Sequence, residues 1–143
     1  VRPGTDVTVV SYGSTFHIAA TACETLANLG AQSELIDVRT LFPFDLTQVC
    51  SASLAKTNRL VVIDEDVPGG ASAYLLSQIL DQQNAWEFLD SSPITIAAKP
   101  HVPPYGSDGD YFSKPNHEDI VESIYEMMHE ADPLRYPSLN GQL

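Results

Sequence analysis

Leu60-Val61-Val62-Ile63 constrains the fold of this chain more than any other stretch. Four apolar residues in a row suit a strand covered on both faces, because a half-exposed strand alternates apolar with polar side chains. Burial on both sides belongs to a parallel sheet clothed by helices. The run ends in Asp64-Glu65-Asp66, and Val67-Pro68-Gly69-Gly70 then turns the chain into a helical pattern. In open parallel sheets, ligand and partner sites lie just beyond the carboxyl ends of the strands. The three acids and the paired glycines fall at that edge.

The rest of the chain repeats the alternation. Residues 6–12 read as a strand closed by Gly13-Ser14, and a helix over 15–29 follows, with Ser14 as its N-cap and Gly30 as its stop. Its apolar face is Phe16, Ala19, Ala20, Cys23, Leu26 and Ala27. Residues 31–38 form a second strand, and a loop holding Pro43 leads to Asp45, which caps a helix reaching residue 56. The third strand covers 59–64, a third helix 70–83, a turn 85–89 and a fourth strand 94–98. Residues 99–116 are rich in Pro, Gly, Asp and Ser; a stretch of that length without an element is expected to serve a function or pack on a neighbour. The last helix starts after Asn116, with Glu118 and Asp119 where the helix dipole favours negative charge. Ile120, Val121, Ile124, Met127 and Met128 form its stripe, and Leu134 and Tyr136 are the anchors expected in the tail.

Alternating strands and helices predict an α/β fold with a mostly parallel, doubly wound sheet of order 2-1-3-4 and helices on both faces. That order puts residues 11–15 and 64–70 on one rim. A chain of 143 residues is one domain in size, here 1–130 followed by a tail over 131–143. Its beginning, Val-Arg-Pro-Gly just before a strand, reads as that of a piece cut from something longer.

Nineteen acidic residues against seven basic ones give a net charge of −12. That charge repels phosphate backbones and anionic lipid, which argues against nucleic-acid and membrane binding, and it steers in a basic protein partner. No apolar run approaches the ~20 residues a membrane span needs. Cys23 and Cys50 fall in predicted helices without Cys-x-x-Cys spacing, so they read as small buried hydrophobes of a reducing compartment, the cytoplasm.

Local motifs name no reaction. Asp64, Glu65 and Asp66 have the chemistry to hold magnesium or accept a phosphoryl group, but ion pairs and caps account for strand-end acids more simply. Gly69-Gly70 lacks the spacing of a phosphate-binding loop, and acids flank it, so close packing of backbone against a neighbour is the expected use. Ser107-Asp108-Gly109-Asp110 is half of a diphosphate-and-magnesium signature without its Asn-Asn partner. Arg39 is expected in a structural or interface ion pair. Of the four histidines, His17 lies nearest the rim, and its expected role is an ordinary hydrogen bond.

Taken in order, however, the motifs resemble one family. Val1-Arg2-Pro3-Gly4-Thr5-Asp6-Val7-Thr8-Val9-Val10-Ser11-Tyr12-Gly13-Ser14-Thr15 is similar to the opening of a particular domain. It is the transketolase-C-like domain that ends the beta chain, or a fused alpha/beta chain, of thiamine-diphosphate-dependent 2-oxo acid dehydrogenases. Asp37-Val38-Arg39-Thr40-Leu41-Phe42-Pro43-Phe44-Asp45, the stretch 61–70, Pro103-Pro104-Tyr105 and His117-Glu118-Asp119-Ile120-Val121 resemble further motifs of that domain in the same order. Ala71-Ser72-Ala73-Tyr74 and residues 105–116 depart from its pattern.

The resemblance implies a three-layer α/β/α sandwich with an antiparallel edge strand just before Val1. It implies that thiamine diphosphate and Mg2+ are held by other domains of the parent enzyme, so no catalytic, cofactor-binding or metal-binding residue is carried onto this chain. The implied partners are the chain's own catalytic domains or an alpha chain, a second beta-type domain, and the basic subunit-binding domain of a lipoyl acyltransferase. Branched-chain 2-oxo acids are the implied substrate class, with pyruvate beside them. Arg39, Asp64, Glu65, Asp66, Gly69, Gly70 and Tyr105 are the interface candidates. The alternatives are the matching domain of a transketolase or deoxyxylulose phosphate synthase, and a free-standing flavodoxin-like binding or receiver module.

Overall fold

Four parallel strands form one sheet of order β2-β1-β3-β4, as the alternation predicts. The computed structural model describes residues 1–101 and 109–139. β1 (Val7–Ser11) lies between β2 (Ser33–Asp37) and β3 (Leu60–Ile63), and β4 (Ile94–Ile96) adds to β3. The register pairs Val9 with Leu35 on one side and with Val61 on the other. Arg2 closes the outer edge of β2 by an antiparallel bridge in which it and Leu35 exchange both backbone hydrogen bonds, 2.8 and 2.9 Å long.

Every residue of β1 and β3 is buried, and successive side chains feed two different cores. Val7, Val9, Val61 and Ile63 point to one face. There α1 (Thr15–Asn28) and α5 (His117–Ala131) cover them with Ala19, Cys23, Leu26, Ile120, Ile124 and Met128. Val10, Leu60 and Val62 point to the other face. Beneath them lie α2 (Val49–Thr57) and α3 (Ala71–Ser77), the latter continued by a π-helical turn over Gln78–Gln82. Each of these aliphatic side chains contributes about 1.5–3 kcal/mol by leaving water, which is why a strand without polar alternation is stable only between two helical layers.

Two helix starts follow short-range chemistry. Asn116 caps α5 by accepting the Asp119 N–H at 2.8 Å. Asp45 accepts the Val49 and Cys50 N–H groups at 2.9 and 2.8 Å, so it satisfies the first turn of α2 from four and five residues upstream. Ser14, expected as a cap, makes no capping bond; its hydroxyl turns to Glu65 instead. The third helix also departs from a single α-helix to residue 83. Its winding changes to π over Gln78–Gln82, and just past that turn the Gln83 amide donates to Asp45 while its oxygen accepts from the Ser51 N–H, so this end is tied to the start of α2.

Two corrections concern the last third of the chain. Gly109–Ser113 forms a short helix, α4, inside the stretch read as lacking elements. Of the two expected tail anchors, Tyr136 is 1% exposed and belongs to the core, whereas Leu134 is 97% exposed and anchors nothing.

Candidate functional site

The rim at the carboxyl ends of β1 and β3 is where the sequence-predicted residues gather. Asp64 follows β3 and is fully buried. Its Oδ1 accepts from the Tyr12 hydroxyl at 2.5 Å and from the Asp66 N–H at 3.0 Å, and its Oδ2 accepts from the Ser72 N–H at 2.8 Å. A single carboxyl group therefore ties together the end of β1, its own turn and the first turn of α3. Burial, the hydrogen bond to Asp64 and the negative charges of Asp64, Glu65 and Asp66 push the Tyr12 hydroxyl well above its ordinary pKa. It stays a donor at any physiological pH.

Glu65 and Asp66 diverge from Asp64. Glu65 accepts from the Ser14 hydroxyl at 2.7 Å and lies 4.0 Å from the Lys114 ammonium, which joins the rim to the segment between α4 and α5. Asp66 turns back to its own loop and accepts the Val67 N–H at 2.8 Å, while its carbonyl accepts from the Ala98 N–H. Gly69 has φ +90°, the left-handed region that glycine enters without strain, and a side chain there would meet open space. At Gly70 a Cβ would overlap the Asp66 carboxylate. The close approach at this glycine is thus to a side chain of its own turn.

Arg39 stands beyond β2, almost fully exposed, and donates to Asp37 at 2.7 Å. It borders a cleft of about 520 Å³ with Tyr12, Gly13, Phe16, His17 and Leu41. His17 packs edge-on against Phe16, with ring centroids 5.8 Å apart. Tyr105 and the Ser107-Asp108 pair lie outside the described residues. Among the described residues, no group of three or more His, Cys, Asp or Glu side chains is arranged to hold a metal ion. Burial raises both the Cys23 and Cys50 thiols above their ordinary pKa, with the Asp45 charge adding to the effect at Cys50, so neither is activated as a thiolate.

A thiamine diphosphate–magnesium pair does not fit this rim. A diphosphate needs donors, and here the carboxylates of Asp64 and Asp66 accept from the N–H groups of Asp66, Val67 and Ser72. Sequence reasoning found the acids but missed Tyr12, Ser72 and Lys114 as their partners. The only local sign was the position of Tyr12, one residue past the strand that neighbours β3.

Residues 1–120 match the transketolase C-terminal domain family. This chain belongs to that family. Its relatives include the pyruvate dehydrogenase E1 component subunit beta-3, chloroplastic, of Oryza sativa subsp. japonica. That protein is 39% identical over 109 residues, covering 75% of this chain and 27% of the relative. The pyruvate dehydrogenase E1 component subunit beta of Rhizobium meliloti is 34% identical over 123 residues, 86% of this chain and 26% of the relative. The Bacillus subtilis subunit of the same name is 30% identical over 128 residues, 89% and 38% respectively. This transketolase C-terminal domain thus spans about a quarter to two-fifths of the length of these relatives. Among solved structures, a split gene transketolase described as an inactive beta4 tetramer shares the fold. Its TM-score is 0.66 at 21% identity, over 87% of this chain and 39% of that one. No helix among the described residues is long and apolar enough to cross a membrane.

Proposed function

We propose that this transketolase C-terminal domain is the assembly domain of the decarboxylating component of a 2-oxo acid dehydrogenase. In this reading the parent enzyme is an oxidoreductase that decarboxylates the 2-oxo acid and passes the acyl group to a lipoyl acyltransferase. Thiamine diphosphate and Mg2+ sit in its other domains, and this domain supplies subunit association and acyltransferase docking. One observation carries the reading: the similarity at 30–39% identity to pyruvate dehydrogenase E1 beta subunits across three quarters or more of the chain. The rim geometry supports it, since the acids are turned toward backbone N–H groups and Tyr12 rather than toward an open catalytic pocket.

The names of the relatives favour pyruvate as the substrate of the whole enzyme. A branched-chain 2-oxo acid is the second reading, the substrate class that the resemblance in the sequence implies. The proposed contact residues on the rim are Arg39, Glu65, Asp66 and Gly69, shaped by Asp64 and Gly70; Tyr105 is proposed with them from the sequence alone. Its proposed partners are the domain's own catalytic partners or alpha chain, a second beta-type domain, and the acyltransferase's basic subunit-binding domain. Two buried free thiols suit a reducing compartment such as the cytoplasm.

Calorimetric titration of the 143-residue chain with thiamine diphosphate and magnesium tests the division of labour. No binding heat is expected. One-site binding in the micromolar range would return the cofactor to this domain and overturn the assembly reading.

A further inference from the structure

Past the end of α5 the chain folds back on the helix it has just left. The Asp132 N–H donates to the Met128 carbonyl at 3.0 Å and the Tyr136 N–H to the Asp132 carbonyl at 2.9 Å, so one extra turn closes the carboxyl end of the helix. Tyr136 then enters the core edge-on to Tyr125, with ring centroids 6.2 Å apart. The Tyr125 hydroxyl donates to the Pro137 carbonyl at 3.0 Å. His129 Nδ1 lies 2.6 Å from the Tyr136 carbonyl; a carbonyl only accepts, so that nitrogen carries the proton.

The other attachment is ionic. The Arg135 guanidinium lies 4.9 Å above the Tyr136 ring and reaches both carboxylate oxygens of Asp6 at 3.3 Å. Asp6 stands just before β1, is itself buried, and also accepts the Gln32 N–H at 2.8 Å and the Thr5 hydroxyl at 3.3 Å. A guanidinium N–H of Arg59 donates to the Asp6 carbonyl. Asp132, Pro133, Leu134 and Arg135 are all exposed, so the segment is held to the rest of the domain mainly through the Tyr136 side chain and the Arg135–Asp6 pair. Segments with few buried apolar contacts open at lower free energy than the core beneath them.

We infer that residues 132–139 are a latch, plugged by Tyr136 and clasped by the Arg135–Asp6 pair, that fastens the carboxyl end of α5 to the amino end of the sheet. It opens as a unit ahead of the core. Opening uncovers the slot of Tyr136 beside Tyr125 and Met128 of α5.

Amide hydrogen exchange on the whole chain tests this. In wild type, residues 133–139 and the last turn of α5 should exchange together, faster than β1 and β3. Arg135→Gln should speed that segment about tenfold and leave the strands unchanged, as expected for a charge-assisted bond to a buried carboxylate. Salt at 1 M should act on wild type in the same direction and add little to Arg135→Gln. Tyr136→Ala should abolish the segment's protection; if that variant fails to fold, Arg135→Gln at an exposed position still decides. Exchange of 133–139 in step with β1 and β3 under all conditions, or no response to Arg135→Gln, would overturn the latch.

Discussion

A carboxyl group taken out of water is tolerated only where hydrogen bonds replace its hydration, and Asp64 receives three of them. Removing it leaves the buried Ser72 N–H and the part-buried Tyr12 hydroxyl and Asp66 N–H without that acceptor. Asp64→Ala should therefore cost about 3 kcal/mol and Tyr12→Phe about half as much, read as shifts of the urea midpoint at constant slope. If the two variants cost the same small amount, the rim is not knitted through Asp64. Glu34 offers a pH-dependent counterpart. Burial opposes its charge, but hydrogen bonds from Lys56, Ser53 and the Gly4 N–H outweigh burial and hold the carboxyl below the ordinary glutamate pKa. A lowered folded-state pKa gives stability that is complete above the unfolded value of about 4.3 and is lost as pH falls through the folded one. Glu34→Gln should flatten the acid limb of the stability curve in that window, with the wild-type and variant curves running parallel at neutral pH.

At the scale of elements, the two best-defined helix starts are made by side chains that reach orphan N–H groups. Asn116 serves α5 and Asp45 serves α2. Asn116→Ala should cost about 1 kcal/mol in thermal or urea unfolding, and Asn116→Asp should restore most of it, since the cap needs an acceptor oxygen and the first turn favours negative charge. A loss in the aspartate variant equal to that in alanine would mean the amide, not the acceptor, matters. Asp45 does more than cap. Gln83 joins it from the end of the π turn, so the start of α2 and the end of α3 settle together. Local propensity for either helix omits that coupling, and it omits the shift from α to π winding at Gln78 as well.

The whole molecule carries a charge of −12, which repels a second copy and attracts basic proteins. Self-association must then rest on apolar surface. Phe42 and Leu46 supply some, 89% and 80% exposed on the loop between β2 and α2. That loop is held from behind, with Phe44 packed edge-on to Tyr74 and the Tyr74 hydroxyl donating to the Leu41 carbonyl. The two proposed contacts should answer salt oppositely. Docking to a basic subunit-binding domain should weaken as the screening length falls from ~10 Å at 0.1 M to ~3 Å at 1 M. Self-association should persist or strengthen over the same range. Sedimentation and surface-binding measurements would show it, and docking indifferent to salt would leave the negative charge without a recognition role.

Nearest-neighbour chemistry determined most of the architecture. The unbroken apolar run of β3 required cover on both faces, the strand and helix alternation set the order 2-1-3-4, and the Asn116 and Asp45 caps were readable because a cap and its target lie within five residues. The motifs also placed the chain in its family. What the tertiary structure decided are pairings between residues far apart in sequence, where no spacing rule applies. Tyr12 finds Asp64 across 52 residues, and Arg135 finds Asp6 across 129. Ser14 shows the difference directly: its sequence position makes it a cap, but folding brings Glu65 within 2.7 Å, and the hydroxyl is turned to donate to that carboxylate while its oxygen accepts no helix N–H. Leu134 and Tyr136 differ for a related reason. Both are large and apolar on paper, and only the slot beside Tyr125 decides which of them enters the core.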